Sequence, residues 1–248
     1  MLEVDNLNKS FGGLKATDRL SLRVNKGELH AVIGPNGAGK TTLIHQLAGE
    51  YFSDSGRIIF DGQDITHVKL YQRALLGLAR SYQISSVFSD FSVLENVMMA
   101  RLAQSGHSFR FWRPFLKERG LVDAAMDALA QVGLEHMAHA MVASMAHGER
   151  RQLELAMVLV TQPKLLLLDE PMAGMSQHES ERVVELLATL KGRYSILLVE
   201  HDMDAVFALA DRISVLVYGH VIAHGSPDEI RGNELVREAY LGAEEDAF

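Results

Sequence analysis

The feature that most narrows what this chain can fold into is the run Gly34-Pro-Asn-Gly-Ala-Gly-Lys-Thr-Thr42. It fits G-x-x-x-x-G-K-[ST] through Gly34, Gly39, Lys40 and Thr41. It lies between strand-like Leu29–Ile33 and helix-like Thr41–Ala48, which Gly49 can close. A strand, a glycine-rich turn and a helix in that order make a phosphate cradle. The glycines let backbone N–H groups curl around phosphate oxygens, and the helix N-terminus adds positive potential. The cradle is thus Gly34, Pro35, Asn36, Gly37, Ala38, Gly39, Lys40, Thr41 and Thr42. Lys40 is expected to reach the β- and γ-phosphates of a nucleotide, and the Thr41 hydroxyl to ligate Mg²⁺. A glycine-rich turn with a chance lysine is the competing reading, and the flanking strand and helix count against it.

The rest of the chain falls into place around that loop. Its first 65 residues alternate β-like runs (Leu2–Val4, Leu20–Val24, Leu29–Ile33, Arg57–Phe60) with turns, and Asp61-Gly62 signals a hairpin. From about Leu75 to Ala140, helical spacing takes over in VLENVMMARLA and LVDAAMDALAQVG, with Gly133 as a C-cap. The apolar run Lys164–Leu168 precedes an amphipathic helix at Glu179–Leu190. Ser195–Val199 precedes a helix at Asp204–Ala210, and a hairpin follows about Gly219-His220. Strand, helix, strand, helix in this rhythm predicts a parallel sheet covered on both faces. The fold class is α/β, with a core from about 1–75 and 151–235 that is β-rich at its start. A helical lobe is inserted at about 76–150, and a tail follows at about 236–248. The aromatic, basic stretch Ser108–Lys117 reads as a linker or a surface-facing insert.

Leu165-Leu-Leu-Leu-Asp169-Glu170 is a buried-type strand ending in two acids. Such a pair by itself more often begins a solvated loop. In a chain that also carries the cradle, Asp169 is placed to hold the Mg²⁺ shell and Glu170 to face an attacking water as general base. Glutamate rather than glutamine at 170 argues for hydrolysis as well as binding. Composition trims the alternatives. A net charge of −8 weighs against a general nucleic-acid binder. The absence of cysteine excludes disulfides, zinc ribbons and thiol nucleophiles, and suits a reducing, cytosolic setting. No apolar run approaches the roughly 18–20 residues of a membrane helix, so a membrane role is expected through a partner. MLEVDNLNKSFGG lacks the apolar stretch of a secretory signal.

Further elements, taken in order, resemble those of ATP-binding-cassette ATPases over essentially the whole chain. Phe11, in Lys-Ser-Phe-Gly-Gly, looks like the aromatic that stacks on adenine. Gln83, in Ala-Arg-Ser-Tyr-Gln, looks like the glutamine joining core to lobe, and Met145-Ala-His-Gly-Glu149 occupies the signature position. Ala173-Gly-Met175 sits where a dimer-contacting loop belongs, and His201, in Leu-Leu-Val-Glu-His-Asp, matches the switch histidine. The resemblance implies a P-loop NTPase core of the ABC type, with an N-terminal antiparallel β subdomain and the inserted lobe. It implies ATP and Mg²⁺ as ligands, the metal held by Thr41, Gln83 and Asp169, and hydrolysis served by Glu170, His201 and Gln83. It also implies a head-to-tail pair in which Ala146, His147, Gly148 and Glu149 of one subunit face the γ-phosphate of the other's ATP. Ala146 departs from the family's Leu-Ser-Gly-Gly-Gln. It lacks the serine hydroxyl, a loss of about 1.5–3 kcal/mol for a hydrogen bond to a charged group. The site that uses this signature is therefore expected to be impaired but active.

Phe-Gly-Gly-Leu-Lys-Ala, Arg-Ser-Tyr-Gln-Ile-Ser-Ser-Val-Phe, Val-Leu-Glu-Asn-Val and the closing Ala-Tyr-Leu-Gly242 resemble the larger ATP-binding subunit of branched-chain amino acid importers. So does the insert at about 103–120, as a docking element or a surface loop. The implied partners are two transmembrane permeases, a second ATPase subunit (identical or a paralogue) and, indirectly, a periplasmic binding protein, on the cytoplasmic face of the cell membrane. Coupling helices of the permeases are expected around Gln83–Phe91. Urea and short amides are the alternative solutes. A cassette acting on nucleic acid or ribosomes is the alternative class, disfavoured by the acidic charge, and a small kinase lacks a signature helix and switch histidine.

Overall fold

The computed structural model describes residues 1–81, 87–104 and 118–245. Strand β1 (Leu2–Phe11) pairs antiparallel with β2 (Leu14–Val24), the two joined by a tight turn in which Phe11 faces Leu14. Both run well past the short apolar stretches expected, because their outward residues are polar and mask the alternation. Leu2 and Val4 point inward while Glu3 and Asp5 are exposed. Asn6 (φ 48°) then supplies one extra residue, so that the inward set continues at Leu7.

The chain continues through β3 (Leu29–Ile33) and α1 (Lys40–Ala48) to β4 (Ser55–Phe60) and β5 (Gln63–Asp64). β4 lies antiparallel on β1 and turns at Asp61-Gly62 into β5, giving the sheet order β2-β1-β4-β5. After α2 (Leu70–Leu76) comes β6 (Leu78–Arg80), which the periodicity had placed within the lobe. It is a three-residue strand parallel to β7, too short to carry a pattern of its own. Helices α3 (Val93–Gln104), α4 (Arg119–Gln131) and α5 (His147–Leu159) pack on one another. Val132 is the C-cap of α4, and Gly133, expected as the cap, takes the left-handed backbone one residue later (φ 75°).

The second sheet completes the core. β7 (Leu165–Asp169), α6 (Gln177–Leu190), β8 (Ser195–Val199), α7 (Met203–Leu209), β9 (Arg212–Val217) and β10 (His220–Gly225) follow in turn. The strand order is β10-β9-β3-β8-β7-β6, all parallel except β10. The β9–β10 turn lies at Tyr218-Gly219, one residue earlier than expected, with both residues at positive φ and His220 already in the strand. The stretch expected as a tail begins as helix: α8 (Pro227–Arg231) and α9 (Glu234–Glu245) close the chain, with Val236 buried.

β3, β7 and β8 are buried along their whole length. Alternate residues serve opposite faces. Leu166, Leu168, Ile196 and Leu198 join the core shared with α3–α7, whereas Leu165, Leu167, Leu197 and Val199 join the one shared with α1 and the antiparallel sheet. Three strand ends (after Ile33, Asp169 and Val199) therefore open side by side at one edge, the usual place for a ligand in a parallel sheet.

Candidate nucleotide-binding site

The cradle joins β3 to α1 and is held from behind. Gly219 N donates to Ala38 O (2.9 Å), and Asp18 N donates to Gly219 O (3.0 Å), so the β9–β10 turn braces the loop. A side chain at Gly39 (φ 103°) would strike Ala16 O, and one at Gly34 would strike Leu216 O, so the loop has room for backbone alone at both places. Asn36, Gly37 and Thr41 are exposed, while Pro35, Gly39 and Thr42 are half-buried. Lys40 is buried and turns its Nζ back onto the loop, donating to Gly34 O (2.6 Å) and Pro35 O (3.0 Å). Burial lowers the Lys40 pKa, and the nearby charges of Glu170 and Asp169 oppose that shift. The three groups thus share one electrostatic environment.

Asp169 ends β7 at 3% exposure. Its Oδ2 accepts from Arg80 Nη2 (3.0 Å), and Arg80 Nη1 reaches Glu50 Oε1 (2.7 Å), just beyond the end of α1. Asp169 Oδ1 is buried with no hydrogen-bond partner. Burial pushes this carboxyl up, with the Arg80 guanidinium pulling the other way. A buried, unpartnered carboxylate oxygen beside a phosphate cradle is a fitting ligand for a hard divalent cation, which takes few protein oxygens and leaves the rest of its shell to phosphate and water. Among the described residues no cluster of three or more acids and histidines could hold a metal without such help.

Glu170 follows in the left-handed region (φ 47°), where a non-glycine residue is uncommon. Its N–H donates to Val199 O (2.8 Å), which ties it to the end of β8. His201 lies two residues beyond that strand with its side chain 65% exposed, and Glu200 between them is fully buried. Gln83 falls outside the described residues, as does the insert at 108–117.

At the other side of the cradle, Phe11 is exposed at the end of β1 and meets the ring edge of Tyr51 (5.5 Å, 71°). Tyr51 in turn stacks on His45 (4.9 Å, 16°), and Lys9 Nζ lies 5.6 Å above the Phe11 ring. His45 Nδ1 is 2.6 Å from Glu50 Oε2, so an unbroken chain of contacts runs from Phe11 through Tyr51, His45, Glu50 and Arg80 to Asp169.

Residues 146–149 open α5. Ala146 is the N-cap and has no oxygen to offer, while Glu149 Oε2 reaches back to its N–H (2.8 Å), half of a capping box. The hollow there is lined by Gln152, Glu179 and Arg182 rather than by the cradle, and the Glu179 carboxylate accepts from Gly148 N–H. Ala146 and His147 are exposed, and Gly148 and Glu149 are half-buried.

The ABC transporter family model matches residues 17–173, which include the cradle, the start of α5 and both acids. The chain belongs to the ABC transporter family. This ABC ATPase also matches, at residues 220–246, the model for branched-chain amino acid ATP-binding cassette transporters. It is 36% identical to the probable branched-chain amino acid transport ATP-binding protein LivG of Archaeoglobus fulgidus, across 99% of this chain and 96% of the relative. It is 37% identical to the high-affinity branched-chain amino acid transport ATP-binding protein LivG of Escherichia coli K12, across 98% of each. It is also 35% identical to the lipopolysaccharide export system ATP-binding protein LptB of the same organism, across 97% of each. In fold it matches the ADP conformation of MJ1267, an ATP-binding cassette of an ABC transporter (TM-score 0.87, 30% identity, 98% of both chains).

An ABC ATPase binds and hydrolyses ATP, and its cradle residues are legible from sequence. Tyr51, His45, Glu50 and Arg80 were not. Phe11 lies 40 positions from Tyr51, and Arg80 lies 30 from Glu50 and 89 from Asp169, while none of the four completes a motif. Glu200 left one signal, a lone acid closing an otherwise apolar strand directly before His201.

Proposed function

We propose that this chain is the ATP-hydrolysing subunit of an importer for branched-chain or other hydrophobic amino acids. The amino acid assignment is carried by the match of residues 220–246 to the branched-chain model, since overall identity is much the same toward LivG and LptB.

Phe11 stacks on the adenine, with Tyr51 behind it. Lys40 Nζ leaves the Gly34 and Pro35 carbonyls for the phosphates, because a charged phosphate oxygen is the stronger acceptor. Thr41, Asp169 through its free Oδ1, and Gln83 would hold Mg²⁺, whose charge would offset that of the phosphates. Glu170 accepts a proton from the attacking water, whose oxygen bonds to the γ-phosphorus as the bond to ADP breaks. His201 contacts the γ-phosphate. The N-terminus of α5, with Ala146, His147, Gly148 and Glu149, faces the γ-phosphate of a second cassette in a head-to-tail pair. Among the described residues no helix is long and apolar enough to cross a membrane. An open groove of about 430 Å³ between α2, α3 and α5 receives a permease helix on the cytoplasmic face, with Tyr71, Leu75 and Met157 in its wall. A periplasmic binding protein delivers the solute on the far side.

Proteoliposomes holding this cassette with its two co-purifying membrane proteins test the reading. ATP-driven uptake of radiolabelled leucine is expected. Uptake of urea or acetamide instead, lipopolysaccharide extraction, or co-purification of ribosomes or DNA in place of permeases would overturn the amino acid assignment.

A further inference from the structure

Glu200 is fully buried, and the mechanism above leaves it unused. Burying a carboxylate is costly unless strong donors meet it, and a well-packed apolar residue would often be no worse for stability. Here the donors are backbone groups of two different loops. Met172 N donates to Oε1 (3.0 Å), His201 N to Oε2 (3.0 Å), and Asp202 N contributes as well. Met172 stands two residues after Glu170, on the turn that leads into Ala173-Gly-Met175. With Glu170 N bound to Val199 O, the two bonds pin that turn on both sides of Glu170 and hold its left-handed backbone, a conformation that persists only when its surroundings impose it. The same carboxylate faces the His201 ring, with Oε2 3.6 Å from Nδ1, a charge contact rather than a hydrogen bond. A negative charge beside Nδ1 favours the neutral tautomer that carries its proton there.

We propose that Glu200 is a positioning residue for ATP hydrolysis: one buried carboxylate sets the Glu170 turn and the His201 ring as a single unit. The inference rests on the roles proposed for Glu170 and His201.

The test compares Glu200→Gln, Glu200→Asp and Glu170→Gln in the full chain, by turnover, ATP affinity and ¹⁵N spectra of the histidine rings. Glu200→Gln is expected to lower kcat by about tenfold or more, as loss of a residue supporting the reacting groups does. ATP affinity stays within about twofold, so the loss falls on kcat rather than binding. Glu200→Asp, which keeps the charge, restores part of the rate. In the wild-type chain neutral His201 carries its proton on Nδ1, a measurement that stands even if a variant does not fold. Wild-type turnover in Glu200→Gln, or an Nε2-protonated neutral His201 in the wild type, overturns the inference. Full turnover in Glu170→Gln instead removes the reading on which it rests.

Discussion

Asp169 and Arg80 show at the residue scale what a site asks of side chains that a motif does not mention. Asp169 has one oxygen on Arg80 and one buried with no partner, so the guanidinium keeps the buried charge tolerable and leaves Oδ1 uncommitted. Arg80 does the same for Glu50, and its side chain is 8% exposed. Removing one member of a buried ion pair strands the other, at a cost of about 3–5 kcal/mol. Arg80→Met should therefore lower the unfolding free energy of the nucleotide-free chain by that amount, read as a fall in its denaturant midpoint. An unchanged midpoint would show that Asp169 needs no counter-charge. Lys40, Asp169, Glu170 and His201 stand out in the sequence because each lies in a short contiguous pattern with a chemical reason for every position. Arg80 and Tyr51 were not, since their roles depend on chain segments brought together only by the two sheets.

Elements carry the second kind of hidden information. Arg73 in α2 is fully buried and donates to the carbonyls of Gln46 and Leu47 in the last turn of α1, and to those of Val68 and Thr66. It thereby closes the C-terminal end of the cradle helix with a cation, where the helix dipole favours one. Burial lowers its pKa to about 10, still far above neutrality. Strand β3 is tied in a comparable way. His30 Nδ1 meets Glu28 Oε1 (2.7 Å) and Nε2 meets Ser214 Oγ (2.9 Å) on β9, which also contacts His224 on β10 (3.1 Å). Burial alone would raise the Glu28 pKa, but bonds from His30 and Asn25 outweigh it and set the value at about 2, against 4.5 for the free side chain. A carboxyl whose folded pKa is depressed stabilises the fold above the unfolded value and loses that contribution as pH falls through the folded one. Glu28→Gln should thus cost roughly 2–3 kcal/mol at neutral pH, with the difference from wild type vanishing toward pH 2. Parallel wild-type and variant unfolding curves with a constant gap down to that pH would contradict the assignment. The strands themselves were easy to place where both faces are apolar, as in β3, β7 and β8. The edges were harder: β1 and β2 hide behind polar outward residues, and β6 is too short to show a period.

For the whole molecule, the parallel sheet delivers three strand ends to one edge, and Phe11 of the antiparallel sheet is linked to Asp169 there through Tyr51, His45, Glu50 and Arg80. The hollow at the start of α5 is lined by Gln152, Glu179 and Arg182 and by no cradle residue, and on the proposed reading it serves a second cassette. That division predicts slow hydrolysis by the isolated chain and turnover that rises when two cassettes meet. The central claim is that Lys40, Asp169 and Glu170 act on one ATP. Glu170→Gln tests it most directly, with ATP binding, phosphate release and molecular mass measured on the same preparation. The account predicts wild-type ATP affinity, almost no phosphate release and an ATP-dependent dimer that wild type does not accumulate. Phosphate release at the wild-type rate would contradict it.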